Sequence, residues 1–270
     1  MICHQYKCIF VHVPKAAGQS IESLFLKLVN LTWETRAPLL LCPNAKPEMG
    51  PPRLAHLKAR DYVACGHLPQ KQFSSYFKFA FVRNPWDRLV SFYKYMGPRN
   101  GLPFKEFLMG PFRKDLWVNR QWFVGPQSSF VCDSGGNLLV DFLGRFEQLQ
   151  ADFNIVAQRL ALPSSTLPHR NKSKRQKLAS FFKPYELLHR ARNLFGSSKL
   201  NRPGSYLDYY DDESKDIVAQ LYAQDLELFG YRFGQPAAHH LENTGLHSPN
   251  RPSTTGLNAG FHPQPARNSA

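Results

Sequence analysis

Seven consecutive residues, Pro14-Lys15-Ala16-Ala17-Gly18-Gln19-Ser20, stand between the apolar run Cys8 to Val13 and an amphipathic helical pattern. A tight loop in that position aims backbone N–H groups and the positive end of a helix at one spot, which is how many proteins bind phosphate. Lys15 adds a full charge, Gly18 admits a close approach of the backbone, and Ser20 offers a hydroxyl. The lysine precedes the glycine, so the loop is not the triphosphate-binding pattern G-x-x-x-x-G-K-[ST]. A second set follows. Arg83 closes the apolar run Lys78 to Val82, and Ser91 lies eight residues on, two turns into the helix that Asn84-Pro85 opens. A guanidinium and a hydroxyl so placed converge on a second phosphate, the guanidinium forking onto two oxygens. Taken singly, each set also fits a plainer reading: a solvated lysine in an ordinary turn, or a surface arginine after a strand. Together, in this order and both at strand ends, they point to paired phosphate sites.

The elements that must position these residues alternate strand and helix. Cys8 to Val13 reads as a buried strand ended by Pro14. Ile21, Leu24, Phe25 and Leu28 then recur at helical spacing, with Ser20 as the expected N-cap. Tyr62 to Cys65 reads as a second strand stopped by Gly66, and Lys78 to Val82 as a third. After Arg83, the run Asn84-Pro85-Trp86-Asp87 supplies a cap, a proline at the first helical position and an acid in the first turn. Val140 to Leu143 reads as a fourth strand, Glu147 to Leu160 as a helix, and Asp211 to Phe229 as a last long helix closed by Gly230. The pattern predicts a three-layer α/β/α fold around a mainly parallel sheet. The polar, Pro- and Asn-rich stretch 235–270 reads as a disordered tail, which leaves 1–234 as one domain.

Composition narrows the classes. The chain has 270 residues, 43% hydrophobic and 13% aromatic, enough for a sizeable core. Apolar runs last only a few residues, too short to span a bilayer. The segment Met1 to Lys7 is too polar for a signal peptide. Five cysteines, an odd number, argue for a reducing compartment, so a cytoplasmic location is expected. Thirty-four Lys and Arg against twenty Asp and Glu give a net +14, which favours an anionic partner. Much of that surplus lies between Arg170 and Arg202, where Glu186 is the one acid among ten basic residues. No nucleic-acid-reading module accompanies this run, so nucleic acid is not the expected partner. Cys3, His4 and Cys8 lack a second pair at metal spacing, and Asp141 lacks the loop that would make it a magnesium ligand, so no metal is expected.

The segments FVHVPKAAGQS and FAFVRNPWDRLVSFYKY resemble the two donor-binding signatures of sulfotransferases, specifically the carbohydrate type. The resemblance continues through VDFLGRFEQLQADF, LPHRNKS and YYDDESKDIVAQLYAQDLELFGYRF. It implies a fold akin to that of the nucleotide kinases, 3′-phosphoadenylyl sulfate as donor without a metal, and a carbohydrate hydroxyl as acceptor. By position it implies that Lys15, Ala16, Ala17, Gly18, Gln19 and Ser20 hold the 5′-phosphosulfate, with Lys15 against the bridging oxygen. Arg83 and Ser91 become the clamp on the 3′-phosphate, and Asn171-Lys172-Ser173 a segment that closes over the donor. Cys65-Gly66-His67 matches a strand-end position where several glycan sulfotransferases keep a histidine as general base; a core or surface histidine is the alternative for His67. His12 reads as a packed strand residue. Ala16 and Gln19 depart from the family's usual threonines, which removes side-chain hydrogen bonds and leaves the backbone donors.

A basic amphipathic helix at 184–202 remains open to three readings: a solvated helix packed on the body, a wall for an acidic glycan, or a peripheral contact with a membrane surface. Eukaryotic proteins of this type usually carry an N-terminal anchor, so the chain reads as a soluble form or as a fragment of an anchored protein. Two rival functions are a non-catalytic polyanion binder, disfavoured by the paired phosphate sites, and an ATP-dependent kinase, disfavoured by the missing triphosphate loop.

Overall fold

The computed structural model describes residues 1–96, 101–168, 205–237 and 239–242. Five strands form one sheet in the order β1 (Ile2–Cys3), β2 (Cys8–Val11), β3 (Phe77–Val82), β4 (Phe142–Arg145) and β5 (Leu241–Glu242). The three inner strands are parallel, with Phe10 opposite Phe79 and Phe79 opposite Phe142, and the short edge strands run antiparallel. This is the α/β architecture anticipated from the alternation of elements.

Side chains alternate across the sheet as the pleat requires. Phe10, Phe79, Phe81 and Phe142 face helix α1 (Gly18–Leu28) and the helix Leu149–Arg159. Ile9, Val11, Ala80, Val82 and Leu143 face the opposite layer. That layer holds α2 (Asp61–Ala64), α3 (Gln70–Ser75) and the helix Ala223–Phe229. Both faces are covered, which is why the inner strands read as continuous apolar runs. A third cluster packs α4 (Pro85–Met96) against Phe104, Phe112 and the helix Asp212–Leu221.

Four sequence expectations need correction. Tyr62 to Cys65 is not a strand: Asp61 accepts from the Lys58 N–H, Cys65 N–H donates to the Asp61 carbonyl, and the segment winds into α2. The Tyr62 hydroxyl, donated at 3.1 Å to the Phe10 carbonyl, anchors that turn under β2, a tertiary contact that outweighs local strand propensity. Helix α1 starts at Gly18 with Ala17 as N-cap, so Ser20 lies inside the first turn. The last long helix is interrupted at Tyr222, which turns into the core and donates its hydroxyl to the Val124 carbonyl at 2.7 Å. The folded body also runs past 234: β5 pairs with β4, and the His239 carbonyl accepts from Arg145 Nε at 3.1 Å. Asn171, Lys172, Ser173 and the 184–202 segment lie outside the described residues.

Candidate functional site

Three elements bring the site together: the loop after β2, the end of β3 and the first turns of α4. The loop holds two non-glycine residues in the left-handed region, Lys15 at φ 68° and Ala17 at φ 71°. Each such residue costs roughly 1–3 kcal/mol and persists only where its surroundings over-determine it. Left-handed residues alternating along a chain turn successive N–H groups to one side and form an anion-binding concavity. Ala17 makes no side-chain cap, so the N-terminus of α1 opens on the same concavity with donors that no cap satisfies.

Two arginines hold the strained loop. Arg88 on α4 is fully buried and donates through Nε to the Pro14 carbonyl at 2.9 Å and through Nη1 to the Gly125 carbonyl at 3.0 Å. Burial pushes its pKa below the ordinary arginine value, and burial raises that of the nearby Asp225 carboxyl. Asp225 in turn accepts the Gln127 and Ser128 N–H groups, each at 2.8 Å. Arg83 approaches from the other side. Its Nη1 donates to the Lys15 carbonyl at 3.3 Å, its Nε donates to Asp87 at 2.9 Å, and its plane lies 3.9 Å over the Phe146 ring. The Gln127 side chain fixes the Arg83 backbone at both its N–H and its carbonyl.

Lys15 is half-buried, with Nζ 4.5 Å from the centre of the Tyr95 ring. Burial, then the nearby Arg83 charge, push its ammonium down to about 8. Among the described residues no carboxylate pairs with it. Asn84 caps α4 as the sequence suggested, its Oδ1 accepting the Trp86 N–H at 3.1 Å.

The structure therefore brings the 14–20 loop and Arg83 into direct contact. Ser91 lies farther along α4, half-buried between the buried Val90 and Phe92. His67 is not at a strand end. It follows α2 in a turn where Gly66 has φ 74°, and its Nε2 donates to the Met49 carbonyl at 2.7 Å. A carbonyl only accepts, so Nε2 carries the proton and the Nδ1 lone pair is left available in the neutral ring.

A cavity of about 280 Å³ opens beside the loop, lined by His12, Gln19, Glu22, Arg53 and His56 among others. Its buried floor is a histidine–carboxylate pair, His12 Nδ1 donating to Glu22 at 2.6 Å. Burial, then the neighbouring His12, push His56 well below the usual histidine pKa. A second cavity, of about 260 Å³, lies past Arg83 and is lined by Asn84, Asp87, Glu147 and Tyr206. Sequence reasoning missed Arg88, Asp87, Gln127 and the His12–Glu22 pair. The usable signal for Arg88 was its place at helical spacing between Pro85 and Phe92, both buried, where a cation without a buried acceptor would be expensive. Asp141 pairs with Lys78 at 2.9 Å, and Cys3 stands opposite Cys8 across the β1–β2 ladder.

A family model described as "Sulfotransferase family" matches residues 1–232. An uncharacterised protein of Archaeoglobus fulgidus is 31% identical over 97 residues, a stretch covering 35% of this chain and 75% of that protein. No solved structure matches the chain.

Proposed function

The chain belongs to the sulfotransferase family, and from that premise we propose that it transfers a sulfuryl group from 3′-phosphoadenylyl sulfate to a hydroxyl of a carbohydrate acceptor. The observation that carries this reading is the contact between the strained 14–20 loop and Arg83, which sets an open helix N-terminus, Lys15 and a guanidinium around one concavity. The loop is closed by the Ala16 N–H donating to the Val13 carbonyl and the Ser20 N–H to the Ala17 carbonyl. The donor chemistry suits a doubly phosphorylated anion: the backbone N–H groups of Ala17, Gly18 and Gln19, the Ser20 hydroxyl and Lys15 for the phosphosulfate, and Arg83 and Ser91 for the 3′-phosphate. Asn171, Lys172 and Ser173 complete the set by family position. The carboxylates of Asp87 and Glu147 in the cavity beyond Arg83 repel phosphate, so that space suits the uncharged base of the donor.

The donor supplies an activated sulfuryl group whose departure leaves negative charge on a phosphate oxygen. Lys15 and the backbone donors meet that charge with dipoles already in place, which lowers the barrier without reorganisation. A loop held rigid by Arg88 and Arg83 keeps these donors aligned before the ligand arrives. His67 is our proposed general base, its Nδ1 lone pair taking the proton of the acceptor hydroxyl. A metal has no part in this scheme. No helix among the described residues is long and apolar enough to cross a membrane; a cytoplasmic location is the reading that the five free cysteines support. The segment 184–202 is the proposed contact for an acidic acceptor or a membrane surface.

Calorimetry with adenosine 3′,5′-bisphosphate in the absence of magnesium tests the donor reading. Saturable binding at one site is the expected result, followed by donor-dependent sulfation in a screen of hydroxylated saccharides. Binding of magnesium-ATP in place of the bisphosphate would overturn the reading in favour of a kinase.

A further inference from the structure

Gly18 is glycine because of His12. A methyl group built on Gly18 would lie 1.8 Å from His12 Nε2 and 2.2 Å from both neighbouring ring carbons. The Gly18 backbone does not require glycine, since φ is positive at Lys15 and Ala17 and not at Gly18. The ring is the obstacle, and it is firmly seated. Its Nδ1 donates to Glu22 Oε1 at 2.6 Å, its face stacks on Phe10 at 5.6 Å, and His56 meets it edge-on at 4.5 Å. His56 also donates its Nδ1 proton to the His12 carbonyl at 3.3 Å. His12 and Glu22 are 6% and 3% exposed, so the pair is sealed between the end of β2 and the first turns of α1.

This pair spans the loop. His12 lies three residues before Lys15 and Glu22 four residues after Gly18, so their hydrogen bond closes the base of the concavity. Arg83 and Arg88 grip the Lys15 and Pro14 carbonyls, while the His12 ring bears on Gly18. We infer that His12 and Glu22 are positioning residues: the ring, oriented by the carboxylate, wedges against Gly18 and fixes the start of α1 relative to β2, which holds the loop in its anion-binding form. The inference rests on the donor reading above and adds to it two residues that act on the donor site through the loop.

A double-mutant cycle tests it, with the dissociation constant for adenosine 3′,5′-bisphosphate as the readout and melting temperature as a check on folding. Gly18→Ala should weaken binding by about a hundredfold, the scale of losing a hydrogen bond to a charged group when the loop is displaced. His12→Ala should weaken it by about tenfold, and adding Gly18→Ala to His12→Ala should cost little more, because the obstacle is gone. Glu22→Gln, which still accepts from Nδ1, should stay within a few-fold of wild type, whereas Glu22→Ala should fall with His12→Ala. A Gly18→Ala chain that fails to fold while the double variant folds and binds shows the same coupling. Independent, multiplying effects at positions 12 and 18 would overturn the inference, as would a His12→Ala chain of lower melting temperature and unchanged affinity. A wild-type chain that binds no bisphosphate would overturn the donor reading itself, and this inference with it; wild-type binding without coupling sinks the positioning role alone.

Discussion

Arg83 is already held by Asp87. Its Nε donates to Asp87 Oδ2 at 2.9 Å, a terminal nitrogen lies 2.8 Å from the same oxygen, and Nη1 reaches across to the Lys15 carbonyl. A phosphate arriving here meets a guanidinium whose plane is fixed by the carboxylate and by the Phe146 ring beneath it. Orientation is settled in advance at the cost of some positive charge, a trade that favours geometric selectivity over raw attraction.

Arg83→Ala should therefore lose a charged contact and the brace on the loop together. Affinity for adenosine 3′,5′-bisphosphate should fall by about 1.5–3 kcal/mol, the range for hydrogen bonds to charged groups. Arg83→Lys should recover little, because an ammonium cannot span Asp87 and a phosphate as a planar fork does. Calorimetry on folded variants decides; unchanged affinity in Arg83→Ala removes this residue from the site.

Lys15 gives a dependence on pH. Its folded pKa of about 8 lies below the ordinary lysine value, so the cation is fully present below pH 8 and lost as pH rises through it. Bisphosphate affinity should hold up to about pH 8 and then decline toward roughly tenfold per unit as binding must first recover a proton. The same depressed value makes the folded chain bind fewer protons than the unfolded one between about 8 and the ordinary lysine pKa, so this group adds stability as pH rises through that window. Lys15→Ala should flatten the affinity profile and lower turnover more than donor affinity, since charge on the leaving oxygen grows only during transfer. A profile that stays steep in Lys15→Ala assigns the titration to another group.

Much of this was legible in the sequence because it is local. The loop, the Asn84-Pro85 helix start and the apolar runs that became Cys8–Val11 and Phe77–Val82 each depend on neighbours within a few residues, and each stands where the spacing put it. What escaped is long-range. Arg88 meets Pro14, Gly125 and Phe123, and the Tyr62 hydroxyl meets Phe10; none of these pairings leaves a periodic trace. His67 shows the limit on the other side. The motif drew attention to the residue, but its placement after a helix came from the hydrogen bonds of Asp61 and Tyr62 rather than from Tyr62-Val63-Ala64-Cys65 itself.

Arg88→Ala tests the buried brace. It strips three carbonyls, those of Pro14, Gly125 and Phe123, of their donor inside the core. A loss of about 3–5 kcal/mol in denaturant unfolding is the expected outcome, the range for breaking a buried charged network. Arg88→Met, of similar volume, should recover part of the packing and none of the hydrogen bonds. A variant as stable as wild type would show that water replaces the guanidinium at no cost.

The C-terminal boundary gives a fourth test. Removing 243–270 leaves β5 and the His239 carbonyl in place, whereas removing 235–270 takes away both, the His239 carbonyl being an acceptor of the buried Arg145. The longer deletion should unfold at lower denaturant than the shorter by about 1–3 kcal/mol, the penalty for an unsatisfied buried donor. Equal stability of the two truncations would return the edge of the domain to 234.

His67 carries the sharpest test, because a hydrogen bond separates its two possible roles. Nε2 donates to the Met49 carbonyl, and that bond alone would justify a histidine as a brace between the turn after α2 and the segment at Met49. A general base needs the other nitrogen. The substitution His67→Gln places an amide N–H near the position of Nε2 and so keeps the brace, but it leaves no basic lone pair to accept a proton. If His67 is the base, this variant should keep the wild-type melting temperature and bisphosphate affinity while turnover falls by about a hundredfold or more. His67→Ala should lose the same activity and some stability as well. A brace gives the reverse order: His67→Gln close to wild type in rate, and His67→Ala less stable but active per folded molecule. Full activity in a folded His67→Gln would take the proton transfer away from this residue and leave the base to be sought among the groups around the loop-side cavity, with Glu22 and His56 first.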